Sequence, residues 1–280
     1  MHCLFILLFK MLNSLSFNGL VVPSISLVIM SSIIIFCCYL FKKLYDLKTL
    51  YKKKQLTNNN IITIIHSQNA SIINNDNAIT IKTHMDFIKA YEKIDKDKDI
   101  NIIMHTVGGA LSSAEAICNC IANHQQSDYK GKINVYIPYY SYSGGCMIAL
   151  ACDKIIMSKN AILGPCDAQK YVGCTHSIAA IIDTVNYKKE MKEKINETWL
   201  ASSYDAKLCK ERQREYVNKL IQSNKFTKEV GNMIYDEFFS GKHNHDKIFS
   251  AQQAKDLGLN IEIVDDMPFN IKNVTDNVTN

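Results

Sequence analysis

The chain has 280 residues, of which 47% are hydrophobic and 21% charged, with a formal net charge of +5. That is enough for one large domain or two small ones, and far too apolar for a disordered chain. The basic excess does not indicate nucleic-acid binding, because it sits in one short cluster: Lys42, Lys43, Lys48, Lys52, Lys53 and Lys54 against Asp46, with the remainder close to neutral.

Leu20 to Phe41 runs without a charge and is long enough to cross a bilayer as a helix. The lysine cluster follows at once, so the positive-inside rule predicts a cytosolic domain behind a single membrane span. A cleaved signal peptide fits less well. The apolar run is long, the charge lies on its far side, and no small-residue cleavage motif follows. Residues 1–19 precede the span, and residues 42–60 form a polar, basic connector.

From residue 61 the pattern alternates between strand and helix. Ile61–Ile65 reads as a buried strand, 66–78 as a loop, and Ile79-Thr80-Ile81 as a second short strand. Thr83 is placed to cap a helix whose apolar face is Phe87, Ile88, Tyr91 and Ile94. Ile100–His105 and Ile133–Ile137 are nearly all apolar, as strands covered on both faces are. Between them a helix runs from about Leu111 to His124. A helix over Gly145–Cys152 and short strands at 154–157 and 161–163 come next. Helical stretches are predicted over about 177–197, 200–222 and 227–239. Ser250 and Gln253 form a capping box for a helix stopping at Gly258, and Ile261–Val264 closes the domain as a strand. Strand, helix, strand, helix, strand predicts an α/β domain with a parallel sheet over 61–266, followed by a polar tail over 267–280.

Two Gly-Gly turns follow two consecutive strands: Gly108-Gly109 and Gly144-Gly145, the latter preceded directly by Ser143. Both turns fall at the carboxyl edge of a parallel sheet, where α/β proteins build their sites. One reading makes Ser143 a nucleophile beside an oxyanion site formed by the Gly109 and Gly144 N–H groups. The plain reading has the glycines turning the chain and Ser143 capping the helix. A phosphate cradle is a third and weak reading, because neither glycine-rich nucleotide motif is present. The ten cysteines show no zinc or disulfide spacing; scattered on apolar faces they behave as small hydrophobes and fit a reducing compartment.

His105-Thr106-Val107-Gly108-Gly109, the stretch Ile137 to Leu150, and Leu163-Gly164-Pro165-Cys166-Asp167-Ala168-Gln169 resemble the serine dehydrogenase proteinase family. Ile64 to Gln68, Gly241 to Ile248 and Ala254 to Leu259 are similar to further family stretches. The resemblance implies a ClpP/crotonase-like fold related to signal peptide peptidase A, a membrane anchor, peptide or membrane-protein substrates, a homo-oligomer, and no metal or organic cofactor. Val107 and Ala168 stand where the family usually has proline, and Cys146 where threonine is common, marking a divergent member.

The Clp-type histidine has no counterpart in Leu163-Gly164-Pro165, and His176 reads as a surface residue. Peptidases of the signal-peptide-peptidase type use a lysine from a later helix instead. Lys207 is the candidate base: Leu200, Tyr204 and Lys207 share a helical face by the i, i+4, i+7 rule, which predicts an apolar setting that would favour the neutral amine. Lys188, Lys189, Lys192 and Lys194 are rivals on a charged face. His245-Asp246 reads as a locally bonded turn pair that could also orient a catalytic group. The sequons at Asn69, Asn196, Asn273 and Asn277 read as chance in an asparagine-rich chain. The expected activity is peptide hydrolysis by a Ser143–Lys207 dyad. A catalytically silent membrane scaffold of the same fold is the alternative from another class, and an acyl-CoA hydratase or isomerase is a third.

Overall fold

In the computed structural model, the described residues are 39–40, 42–43, 60–66 and 77–269. The predicted span Leu20–Phe41, the connector and most of the tail lie outside them. Among the described residues no helix is long and apolar enough to cross a membrane. Residues Lys53–Asn280 form one unit, distinct from Met1–Lys52, and every element named below belongs to it.

Five strands make a fully parallel sheet: β1 (Ile61–Ile65), β2 (Ile100–His105), β3 (Ile133–Ile137), β5 (Lys154–Ser158) and β10 (Ile261–Val264), in that spatial order. Their side chains explain the arrangement. Ile100, Ile102, Met104, Ile133, Val135, Ile137 and Met157 are at most 1% exposed, as strands covered by helices on both faces must be. Each such side chain contributes roughly 1.5–3 kcal/mol by leaving water. The covering helices include α1 (Ile81–Glu92), α2 (Leu111–Gln125), α3 (Gly144–Ala151) and α7 (Ala251–Asp256). Ser250 and Gln253 form the expected capping box at the start of α7, and Gly258, at φ +92°, follows its end.

A second, smaller sheet holds the turn before α3. β4 (Tyr140–Ser141) pairs in parallel with β6 (Ile162–Leu163), which pairs antiparallel with β9 (Phe249–Ser250). A hairpin of β7 (Gln169–Val172) and β8 (Cys174–Ser177) then leads into α4 (Ile178–Glu190), α5 (Glu197–Gln222), α6 (Lys228–Ile234) and a π-helical turn over Tyr235–Phe239.

Two expectations about the first helix need correction. Ile79 makes only a single parallel bridge, to Gly109, and no strand extends over 79–81. The helix cap is Thr80, whose hydroxyl accepts from the Thr83 N–H while the Thr83 side chain returns to the Thr80 N–H. Thr83 is therefore the third residue of a capping box, and Ile81, read as strand, opens the helix with its side chain 71% exposed.

Candidate active site

Ser143 occupies the sharp corner between β4 and α3. Tyr142 donates its N–H to the Thr106 carbonyl at 3.0 Å, ending the extended segment, and Gly145 donates to the Tyr142 carbonyl at 2.8 Å, starting the helix. The residue between them must turn the chain, and its backbone sits at φ 49°, ψ −122°. A side-chain-bearing residue rarely adopts positive φ, and holding it there costs about 1–3 kcal/mol. The Ser143 N–H is fixed to the Pro165 carbonyl at 3.0 Å. Its hydroxyl makes no capping bond to the helix. The plain reading of Ser143 as an N-cap therefore fails: the structure maintains a strained corner and leaves the hydroxyl unused.

The Gly108-Gly109 turn lies directly against this corner. A Cβ on Gly108 would come within 2.6 Å of the Ser143 Cβ, and one on Gly109 within 2.2 Å of the Ile79 carbonyl oxygen. Gly108, at φ +96°, supplies both a left-handed backbone and the close approach. A Cβ on Gly144 would stand 3.7 Å from the Gly109 nitrogen, so the two turns meet. Neither the Gly109 nor the Gly144 N–H donates to a backbone acceptor among the described residues. The Gly144 N–H opens α3 and Gly109 stands just before the N-cap of α2, so the positive ends of both helix dipoles lie near these groups. The corner thus combines a half-buried serine with two neighbouring N–H groups that have no backbone acceptor among the described residues.

Lys207 lies on α5, but its surroundings differ from those its spacing predicts. Leu200 is 46% and Tyr204 66% exposed, and Lys207 is exposed with them. The inward face of α5 carries Ser202, Ser203, Ala206, Gln213, Val217 and Leu220 instead. Small and polar side chains suit this face because it packs closely: Gln213 donates to the Cys166 carbonyl at 2.7 Å. The i, i+4, i+7 row of larger apolar residues is the outward one. Lys188 pairs with Glu193, and Lys189, Lys192 and Lys194 are also exposed or partly exposed on the surface.

A pair far apart in sequence involves the segment that holds the Ser143 N–H. Asp167, two residues beyond the carbonyl that holds the Ser143 N–H, is 1% exposed, and its Oδ1 meets His245 Nδ1 at 2.8 Å. Its Oδ2 accepts from Gln169 Nε2 at 2.7 Å. A buried carboxylate bonded on both oxygens fixes the imidazole ring and leaves Nε2 directed elsewhere. Asp246, next in the chain, is close enough for its charge to help raise the Tyr142 phenol, an effect led by that phenol's own burial. His245 therefore bonds across the fold, to Asp167, and not within a local turn. His176, in β8, bonds Cys174 Sγ at 3.0 Å and packs on Trp199. No cluster of potential metal ligands occurs among the described residues, and the seven described cysteines are free.

A parallel sheet flanked by helices, with a strained serine and paired glycine turns at its carboxyl edge, defines a ClpP-like α/β protein with a candidate serine-hydrolase site. Comparison with known proteins makes the assignment specific: the chain matches the model of the ClpP-like SDH-type serine proteinases over residues 11–276, and it belongs to that family. It is 30% identical over 223 residues to the uncharacterized protein MJ0137 of Methanocaldococcus jannaschii, covering 79% of this chain and 74% of that one. Among solved structures it is similar to a variant of the membrane-bound stomatin-specific protease 1510-N. That match has 16% identity, covers 74% of this chain and 79% of the other, and has a TM-score of 0.46. ClpP1 from Listeria monocytogenes matches at 16% identity, 76% and 96% coverage, and a TM-score of 0.47.

Proposed function

We propose that the protein is a membrane-anchored serine peptidase in which Ser143 attacks a peptide carbonyl. The observation that carries this reading is the Ser143 corner: backbone strain at φ 49° spent on presenting a hydroxyl that caps nothing. The Gly109 and Gly144 N–H groups stabilise the tetrahedral oxyanion, each such donor being worth on the order of 3–4 kcal/mol. Collapse expels the amine and leaves an acyl-serine, which water then hydrolyses. The chemistry calls for no metal or organic cofactor. Residues 20–41 tether the domain, so extended peptides from membrane proteins or their fragments are the proposed substrates, and a homo-oligomer the proposed assembly.

The proton acceptor has two candidates. The family resemblance assigns it to Lys207, whose ammonium would need to be enclosed, as a second copy packed on the outward row of α5 would do, before it loses its proton readily. A second reading places it at His245, favoured by the Asp167 contact at 2.8 Å that orients its ring; a carboxylate-oriented imidazole is a standard partner of a serine nucleophile. Reaction of the full-length protein with a fluorophosphonate, located by mass spectrometry, tests the serine. Comparing the rates of Lys207→Ala and His245→Ala then assigns the base, whose removal costs about 10²–10⁴-fold. A folded, membrane-bound sample that never labels would remove the peptidase reading and leave the catalytically silent scaffold.

A further inference from the structure

Beneath the Gly108-Gly109 turn lies a buried polar chain that the proposed chemistry does not use. Thr106 is 0% and His66 7% exposed. His66 follows β1 and is anchored by its own N–H to the His105 carbonyl at 2.9 Å. Its Nδ1 lies 2.6 Å from Thr106 Oγ1, and that oxygen accepts the Gly108 N–H at 3.0 Å. Thr106 Oγ1 thus bridges the His66 ring and the Gly108 N–H, with one of its two lone pairs taken by Gly108. Burial, with His105 adding a smaller contribution, pushes the His66 imidazole down to about 4, so the ring is neutral and able to accept.

This chain ends on the Gly108 N–H, one peptide before the N–H proposed to hold the oxyanion. The Gly108 carbonyl accepts the Ile79 N–H at 2.7 Å. The Gly108–Gly109 peptide is trans, so the Gly109 N–H points opposite to that carbonyl, away from Ile79. Both ends of Gly108 are thus pinned, its carbonyl by Ile79 and its N–H by Thr106. The Ala110 N–H donates to the Ile79 carbonyl at 2.8 Å, so Ile79 holds the far side of the turn and Thr106 the near side, around two residues with wide backbone freedom. We infer that His66 is a positioning residue: through the Thr106 hydroxyl it fixes the Gly108 N–H, and with Ile79 holding the Gly108 carbonyl this sets the Gly108 backbone that aims the Gly109 N–H at the carbonyl attacked by Ser143. The inference rests on the serine-peptidase reading for its consequence, and on the hydrogen-bond chain alone for its geometry.

Two readouts on the full-length protein separate these. The first is the second-order rate of Ser143 labelling by a fluorophosphonate. Thr106→Val keeps the buried methyl shape and removes the hydroxyl; it is expected to label about tenfold or more slowly, because a misaimed oxyanion donor loses most of its effect. Thr106→Ser, which keeps the hydroxyl, labels within about threefold of wild type, a rescue that a purely space-filling role would not give. His66→Leu slows labelling as Thr106→Val does, His66→Asn restores part of the rate, and the His66→Leu/Thr106→Val double variant is no slower than either alone. The second readout needs no activity: exchange of the Gly108 amide is slow in wild type and accelerates about tenfold in Thr106→Val with global stability held equal. Labelling of Thr106→Val and His66→Leu within twofold of wild type, additive losses in the double variant, or an unprotected Gly108 amide in wild type would each overturn the inference. A wild type that never labels but shows the Gly108 protection, and loses it in Thr106→Val, overturns the catalytic consequence and the peptidase reading together, while the positioning geometry stands.

Discussion

The two edges of the parallel sheet use their polar groups in opposite ways. At the amino edge, Asp153 follows α3 and closes on the fold itself: Oδ1 accepts from Gln125 Nε2 at 3.0 Å and Oδ2 from the Ile133 N–H at 2.8 Å. Lys225 donates to the Cys152 carbonyl at the end of α3 and stands 3.6 Å from Asp153. Burial lowers the Lys225 ammonium's proton affinity, and the Asp153 charge opposes that shift. A cleft of about 310 Å³ is present there, lined in part by Leu150, Asp153, Lys225 and Asn260, but its charged groups already have partners. At the carboxyl edge a serine is strained, its hydroxyl is uncommitted, and the neighbouring Gly109 and Gly144 N–H groups have no acceptor among the described residues. An edge whose polar groups satisfy one another stabilises; an edge that leaves them open at a cost is where chemistry is to be sought.

This contrast can be broken by substitution, and the effects should descend in size. Asp153→Ala removes the carboxylate facing Lys225 and leaves the Ile133 N–H without its acceptor, and should cost about 3 kcal/mol in a denaturant titration, with the labelling rate of the folded fraction unchanged. Gly109→Ala drives a methyl into the Ile79 carbonyl, 2.2 Å away. It should cost about 1–3 kcal/mol, and labelling should fall with it, because the turn carries both roles. Acid should act through His66. Its folded value is depressed to about 4, so the unfolded chain takes up the proton first. The stability that neutral His66 contributes is fully present above the unfolded value of about 6.5 and is lost as pH falls toward 4, on the order of 2 kcal/mol. His66→Asn should flatten that part of the stability profile. Ser143→Gly should raise stability by about 1 kcal/mol, because glycine accepts the corner without strain. The same change at an unstrained position would lower it.

Sequence reasoning reached the sheet and the serine turn because both are written in strong local signals. β2, β3 and β10 were legible as apolar runs bounded by turn residues, and the Ser143 corner as a serine before paired glycines at a strand's end. The β7–β8 hairpin was not, because Gln169 to Ser177 is mostly polar and partly exposed, with no clean alternation. The inward face of α5 was misread for a related reason. Its buried side chains are small or polar, whereas Leu200 and Tyr204, which hydrophobicity marks as core, face outward. The Asp167–His245 contact joins residues 78 apart in sequence, so no spacing rule exposes it. Thr106 is the instructive middle case: it stood inside the quoted Thr-Val-Gly-Gly motif, but its role depends on His66, which comes from another strand.

Fluorophosphonate labelling of the folded protein, with the modified residue located by peptide mass spectrometry, asks whether the strain at Ser143 serves a nucleophile. A single adduct is expected on Ser143, absent in a folded Ser143→Ala variant. No adduct on Ser143 in folded wild-type protein, or an adduct that persists elsewhere in Ser143→Ala at the wild-type rate, would contradict it.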